Sequence, residues 1–215
     1  MSVKLPNGVI ISLGTTLGSP ITITGVSNAN PAVATAVGHG LTDNDIGILT
    51  SGWVDINERV YKVDQLSADT FSLLSQNTSD TDRYPAGTGT GTFTEVTAWT
   101  QITQITGQNT SGGDMQFTAY SFLESRRQTQ LPTEASPMTI TLEIADDPSL
   151  AGYQALDAAA DSRDPYALRF SMPDGSKIYM YGYISFNKVP VMSKGQIMTV
   201  KATFSLLNEP TRYTS

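Results

Sequence analysis

"MTITLEIA", residues 138–145, alternates without a fault. Met138, Ile140, Leu142 and Ile144 fall on one side of an extended chain, and Thr139, Thr141 and Glu143 on the other, because successive strand side chains point to opposite faces. "TVKATFSLL", residues 199–207, repeats the pattern, with Val200, Ala202, Phe204 and Leu206 opposed by Thr199, Lys201, Thr203 and Ser205. Strands of this kind bury one face and wet the other, which predicts antiparallel sheet. The wet face is mostly hydroxyl and carries little charge.

Working outward, "RFSMPDGSKIYMYGYISF", residues 169–186, reads as a hairpin turning at Pro173-Asp174-Gly175. Its second strand is apolar or aromatic on both faces, so cover on both sides is expected. "MQFTAY", residues 115–120, alternates as well. The stretch "SFLESRRQTQLPTEASP", residues 121–137, joins two long strands and far exceeds what a hairpin needs. A structureless connection of that length predicts a partner or a function. One helix is expected within "DDPSLAGYQALDAAADSRD", residues 146–164, with Asp147 as its cap and Pro148 in the first helical position. Leu150, Tyr153 and Leu156 then face the sheet.

Upstream the strands shorten. After a strand around residues 9–13, "ITITGV", "AVATAV", "IGILTS", "RVYKVDQL", "TFSLLS" and "GTFTEV" follow one another between turn residues, predicting an all-β module over residues 21–96. "SQNTSDTDRYPAGTGTGT", residues 75–92, is expected to be a surface loop too polar to pack.

The chain has 215 residues, 39% hydrophobic and only 15% charged, with threonine, serine, glutamine and glycine replacing the missing charge. Lys and Arg number 13 against 20 Asp and Glu, a net charge of -7, so the chain repels phosphate instead of gripping it. The absence of cysteine excludes disulfides, thiolate metal sites and thiol nucleophiles. The opening segment is too short and interrupted for a signal peptide and no long apolar run follows, so residence in a reducing cytoplasm without membrane insertion is expected.

Candidate chemical sites fail on residue type. His39 stands alone between Gly38 and Gly40, and Asp43 and Asp45 do not make a calcium loop because Ile48 occupies the glycine position. A turn with local hydrogen bonds accounts for all of them. "GTGTGTF", residues 87–93, has Thr92 where a dinucleotide fingerprint needs its third glycine, and "GQNTSGGD", residues 107–114, lacks the phosphate-loop lysine. Asp146 and Asp147 serve as caps sooner than as an acid–base pair. Tyr179, Tyr181 and Tyr183 suit packing or a subunit contact more than ligand stacking. No catalytic, cofactor or metal residue is nominated, and no enzyme is expected.

Two resemblances emerge from these segments. Residues 30–73, "NPAVATAVGHGLTDNDIGILTSGWVDINERVYKVDQLSADTFSL", resemble a small β module of phage tail proteins, similar to the first catalytic-cysteine half-domain of ubiquitin-activating enzymes. The matching elements are His39-Gly40-Leu41, Asp45, Asn57, residues 61–63 and residues 70–73. Residues 100–144 and 167–213, in their order of strand, long "LES" loop, strand, capped helix, hairpin and "NEP"-ended strand, resemble the major tail tube proteins of long-tailed, non-contractile bacteriophages.

The second resemblance implies a mainly β fold: a β-sandwich with one flanking α-helix, formed by residues 1–20 and 97–215, whose sheet joins neighbouring copies into a barrel. The module at 21–96 is then an insertion on the outer surface. It implies a structural virion protein, assembled in the host cytoplasm as homohexameric rings that stack into the tail tube, the conduit for genome ejection. Implied partners are further copies of the chain, the tape measure protein, the tail terminator and tail tip proteins, and double-stranded DNA that passes without specific binding. The loop residues Glu124, Arg126, Arg127, Gln130 and Leu131 are expected at an inter-subunit or inter-ring contact. Thr139, Thr141, Glu143, Thr199, Lys201 and Thr203 are candidates to face the lumen, and the excess of acids suggests an acidic wall. The alternatives are the inner tube of a contractile tail or secretion machine, or an all-β carbohydrate- or receptor-binding module.

Overall fold

A computed structural model describes residues 7–214, so the first residues of the 1–20 segment lie outside the described ones. The chain is mainly β with one helix. In order it forms β1 (Ile10–Leu17), β2 (Ile21–Ile23), β3 (Gly25–Val26), β4 (Ala32–Thr35), β5 (Ile46–Ser51), β6 (Arg59–Ser67), β7 (Thr70–Leu73), β8 (Gly91–Ile102) and β9 (Ile105–Ser111). There follow β10 (Met115–Tyr120), β11 (Thr129–Ala135), β12 (Thr139–Ala145), α1 (Ala151–Ser162), β13 (Tyr166–Ser171), β14 (Lys177–Val191), β15 (Thr199–Leu206) and β16 (Thr211–Tyr213). One curled sheet of 14 strands takes all but two of them, along the path β3-β4-β7-β6-β5-β8-β1-β13-β14-β15-β12-β9, with β2 on β8 and β16 on β14. The remaining pair, β10 and β11, forms a hairpin of its own.

Two long strands hold this together. β8 pairs β5 and β2 through residues 91–95, then β1 through residues 96–102, running unbroken past the 96/97 division. β14 belongs to two layers: residues 177–182 pair β13, and residues 182–191 pair β15. Between those layers lies the largest core, with Leu13 from β1, Leu142 from β12, Phe170 from β13, Ile184 from β14, Phe204 from β15, and Leu156 of α1. The alternation of β12 and β15 survives intact: Ile140, Leu142, Ile144, Val200, Ala202, Phe204 and Leu206 are all buried.

The opposite face of β13 and of the first part of β14 meets a different core. Ala167 and Tyr179 pack there with Ile48 of β5, Val60 of β6, Val96 of β8 and Tyr213 of β16. This is why the second strand of the 169–186 hairpin is apolar on both sides. The cover ends at Gly182, since Tyr183 is 46% exposed. A third core, centred on Leu49, Tyr61, Phe71 and Phe93, fills the space among the short strands.

Three local expectations need correction. The helix begins at Ala151, with Leu150 as its cap, and not at Pro148. The Asp147 carboxylate is turned onto the Ser149 N–H and hydroxyl, closing a tight turn ahead of the helix. Residues 75–92 do pack: Thr78 and Tyr84 are buried, because their polar groups are satisfied. Asn28 donates to the carbonyls of Thr78 and Tyr84, and Tyr84 lies edge-on to Trp53. Finally, residues 121–137 are not structureless, since 129–135 form β11 and pair with β10.

Candidate assembly surfaces

His39 is a structural residue. Its Nδ1 accepts the Leu41 N–H at 3.0 Å, which leaves Nε2 to donate to the Ser67 carbonyl at 3.0 Å, and its ring stands edge-on to Phe71. Gly38 and Gly40 take positive φ of 62° and 67°, the left-handed conformations this turn requires. Asp43 accepts the Gln65 N–H and Asp45 accepts from Thr42, so both carboxylates are spent on the backbone nearby. Among the described residues no group of acids and histidines is arranged to hold a metal, and no helix is long and apolar enough to cross a membrane.

The tyrosine row does not present an aromatic platform. Tyr179 is buried against Tyr213 and Trp99. A cleft of about 500 Å³ opens beside them, but the Arg169 guanidinium already covers the Trp99 ring at 4.5 Å. The cleft also mixes Lys62 and Lys177 with Asp45 and Glu95, and burial next to Asp45 raises the Glu95 carboxyl above its ordinary value.

Two surfaces remain, and each collects residues singled out by sequence. The first is the outer face of the layer β14–β15–β12–β9. Its cross-strand rows are Tyr183–Ser205–Thr139–Ser111, Ser185–Thr203–Thr141–Asn109 and Asn187–Lys201–Glu143–Gly107, with Thr199 opposite Ala145 at the end. Thr139, Thr141, Glu143, Thr199, Lys201 and Thr203 therefore share one face. Hydroxyl contacts cross it at Ser111–Thr139 (2.8 Å) and Thr141–Thr203 (3.5 Å). The Lys201 ammonium sits 3.2 Å from the Glu143 carboxylate, so the charges of these rows cancel. An acidic wall, expected from the net charge, is not what this face offers.

Among the described residues both borders of this layer are open: β9 ends the strand path, and β14 beyond Gly182 has β15 on one side and no strand on the other. An open border exposes a row of unpaired N–H and C=O groups. The residues of β9 are almost all polar, from Thr106 through Ser111.

The second surface is the β10–β11 arm. Every residue from 111 through 135 is exposed, on both faces of the hairpin. Glu124, Arg126 and Arg127 stand at its tip, where Ser125 bonds the backbone of Phe122 and Arg127, and Gln130 and Leu131 lie on β11 opposite Ala119 and Thr118. Leu123 is 106% exposed and Phe122 64%. An isolated two-stranded hairpin is marginal in water, so an arm this bare needs a surface to lie on.

A further projection escapes sequence reasoning. Residues 191–198 are exposed between β14 and β15, with Val189, Val191, Met192, Ile197 and Met198 bare. The only hint is the Lys194-Gly195 turn between them, with Gly195 at φ 83°.

Residues 51–215 match the family model described as phage tail tube protein, TTP. The chain belongs to that family. The bounds of the match take in the polar layer, the arm and the helix, and begin at the last residue of β5. No curated protein matches the chain. As a member of this family the protein is a structural component of the phage tail, not an enzyme, and self-assembly into a tube is its implied role.

Proposed function

We propose that the chain closes into homohexameric rings through the two open borders of its polar layer, and that the rings stack into the tube through which phage DNA leaves. The observation that carries this is the layer itself. Strands β14, β15, β12 and β9 alternate in direction, so β9 of one copy runs opposite to β14 of the next and antiparallel pairing continues across the junction. Cyclic repetition removes both borders at once. Four strands per copy spaced by about 4.8 Å give a hexamer a circumference of about 115 Å and a backbone diameter of about 37 Å before tilt widens it. That is room for a double helix.

In such a ring the hydroxyl face forms the lumen wall. Thr139, Thr141, Thr199 and Thr203 offer DNA no cationic grip, and Glu143 neutralises Lys201. Residues 21–95 pack on the outer side of the other layer, away from the hydroxyl face, which supports a place on the outside of the tube for the segment resembling the ubiquitin-activating half-domain. Glu124, Arg126, Arg127, Gln130 and Leu131 on the arm contact a neighbouring copy. The tape measure, terminator and tip proteins meet the tube at its bore and ends, after assembly in the host cytoplasm. Electron microscopy of the concentrated protein tests the reading. Regular hollow tubes with an axial repeat are expected, whereas monodisperse particles at every concentration, even with tail initiators supplied, would end it.

A further inference from the structure

The two bare projections leave the polar layer at opposite ends. β9 ends at Ser111 beside Thr139, where β12 begins, so the 112–138 arm departs from the end that also holds Ser205. The 192–198 turn departs from the other end, where Val191, Thr199 and Ala145 lie side by side. Each six- or seven-residue strand of the arm, at about 3.3 Å per residue, gives it a reach of about 20 Å. That compares with the height of the layer, long enough to reach a copy in an adjoining ring.

Charge matches as well as shape. The arm tip carries Phe122 and Leu123 together with Arg126 and Arg127, which outnumber its one acid, Glu124. The opposite end pairs its bare valines and methionines with acids: Asp146 donates its N–H to the Met198 carbonyl at 3.0 Å, Asp147 follows it, and Asp157 and Asp161 of α1 flank Lys188. Asp147 is held below its ordinary carboxyl value by the Ser149 hydroxyl and N–H, so it stays ionised. These acids outnumber Lys188 and Lys194.

We propose that the arm tip of one copy seats on the 188–198 projection of a copy in the next ring, Leu123 and Phe122 against Val191 and Met192, with Arg126 and Arg127 over the flanking aspartates. This rests on the tube reading above and adds the identity of the receiving surface. Two different patches on opposite ends make a heterologous contact, which repeats without closing and so builds a filament of rings with a fixed direction.

The chain has no cysteine, so introduced thiols are the only ones present. Leu123→Cys combined with Met192→Cys, assembled and treated with a short bis-maleimide, should give a ladder of multimers on a reducing gel. Leu123→Cys combined with Val54→Cys, whose partner position is equally bare but lies on the turn Val54–Ile56 among the short strands, should give none. All the introduced positions are exposed, so folding is spared. In a separate variant, Val191→Asp with Met192→Asp should lose stacking and form no tubes. Tubes that form but show no 123–192 ladder, or that cross-link 123 to 54 instead, overturn this inference and leave the tube standing. A wild-type chain that assembles nothing removes both.

Discussion

Tyr213 offers a direct test of how the short strands are held to the rest. Its hydroxyl accepts the Lys62 N–H at 3.0 Å and donates to the Leu74 carbonyl at 3.1 Å, while the Leu74 N–H reaches the Lys62 carbonyl directly at 3.0 Å. The phenol is thus inserted where the β6–β7 ladder would make its next bond. Tyr213→Phe keeps the ring, with its edge contact to Tyr179, and strips two backbone groups of their partner. A buried donor or acceptor left without a partner costs about 1–3 kcal/mol, and water from the cleft beside Lys62 recovers part of that. The expected loss is about 2 kcal/mol, a fall of about 4–8 °C in Tm for a chain of this size. Calorimetry on dilute, unassembled protein reads it. Because β8 is one strand shared by both cores, wild type and variant should each melt in a single transition, displaced as a whole. A Tm unchanged within a degree, or a variant whose melt splits in two, would refute the account of this joint.

Gly152→Ala places a methyl carbon 2.6 Å from the Gln101 carbonyl oxygen and 2.8 Å from the Ile102 Cα, so α1 must lift from β8; a loss of about 1–3 kcal/mol in urea unfolding is expected. Burial raises the phenols of Tyr181 and Tyr213 to about 12 from an ordinary 10, and that of Tyr61 upward too. The folded chain therefore holds these protons more tightly than the unfolded one, and stability is unaffected by them below pH 10 and falls as pH rises from about 10 toward about 12. Tyrosinate absorbance rising for all tyrosines near pH 10 with the fold intact would contradict that. Arg126→Glu with Arg127→Glu should leave the monomer's Tm unchanged and abolish tubes; normal tubes by electron microscopy would count against the arm. Glu143→Gln breaks a half-exposed pair worth about 0–1 kcal/mol, so the monomer hardly changes, yet assembled tubes should retain short duplex DNA in a salt-dependent manner because Lys201 is then uncompensated in every copy.

How much of this was legible in the sequence follows from what burial does to a pattern. β12 and β15 alternate because one face of each is sealed by the largest core, so their faces and ends can be read from residue type, though not the strands they pair with. The arm has no such seal. "MQFTAY" alternates as a half-buried strand would, yet both faces of β10 are bare, and Pro132 and Glu134 interrupt the pattern of β11. The loop at 75–92 misleads for the opposite reason: its polarity is real, but Gln76, Thr78 and Tyr84 find partners in Tyr61, Ser27 and Asn28, and satisfied polar groups can be buried. Asp147 looks like a cap by position, and only the Ser149 contacts show where its carboxylate is used. The 188–198 projection goes unread because hydrophobicity reports a need for cover, not the chain that supplies it.

The two surfaces have unequal energies, and this bears on how they act together. The open edge of β9 is polar, so its pairing with another copy yields hydrogen bonds worth about 1 kcal/mol each, and a seven-residue strand, exchanging two bonds at every second residue, makes about six to eight of them. Association itself costs about 4–15 kcal/mol in lost freedom of motion. Lateral pairing alone therefore sets register and holds a ring only weakly. Seating Phe122 and Leu123 adds about 1.5–3 kcal/mol for each side chain, which lifts the total to about 9–14 kcal/mol when both contacts form. On the proposed assembly a free ring is a poor intermediate. Copies join most readily at the exposed end of an existing tube, where one incoming chain meets a β edge beside it and a projection beneath it at the same moment.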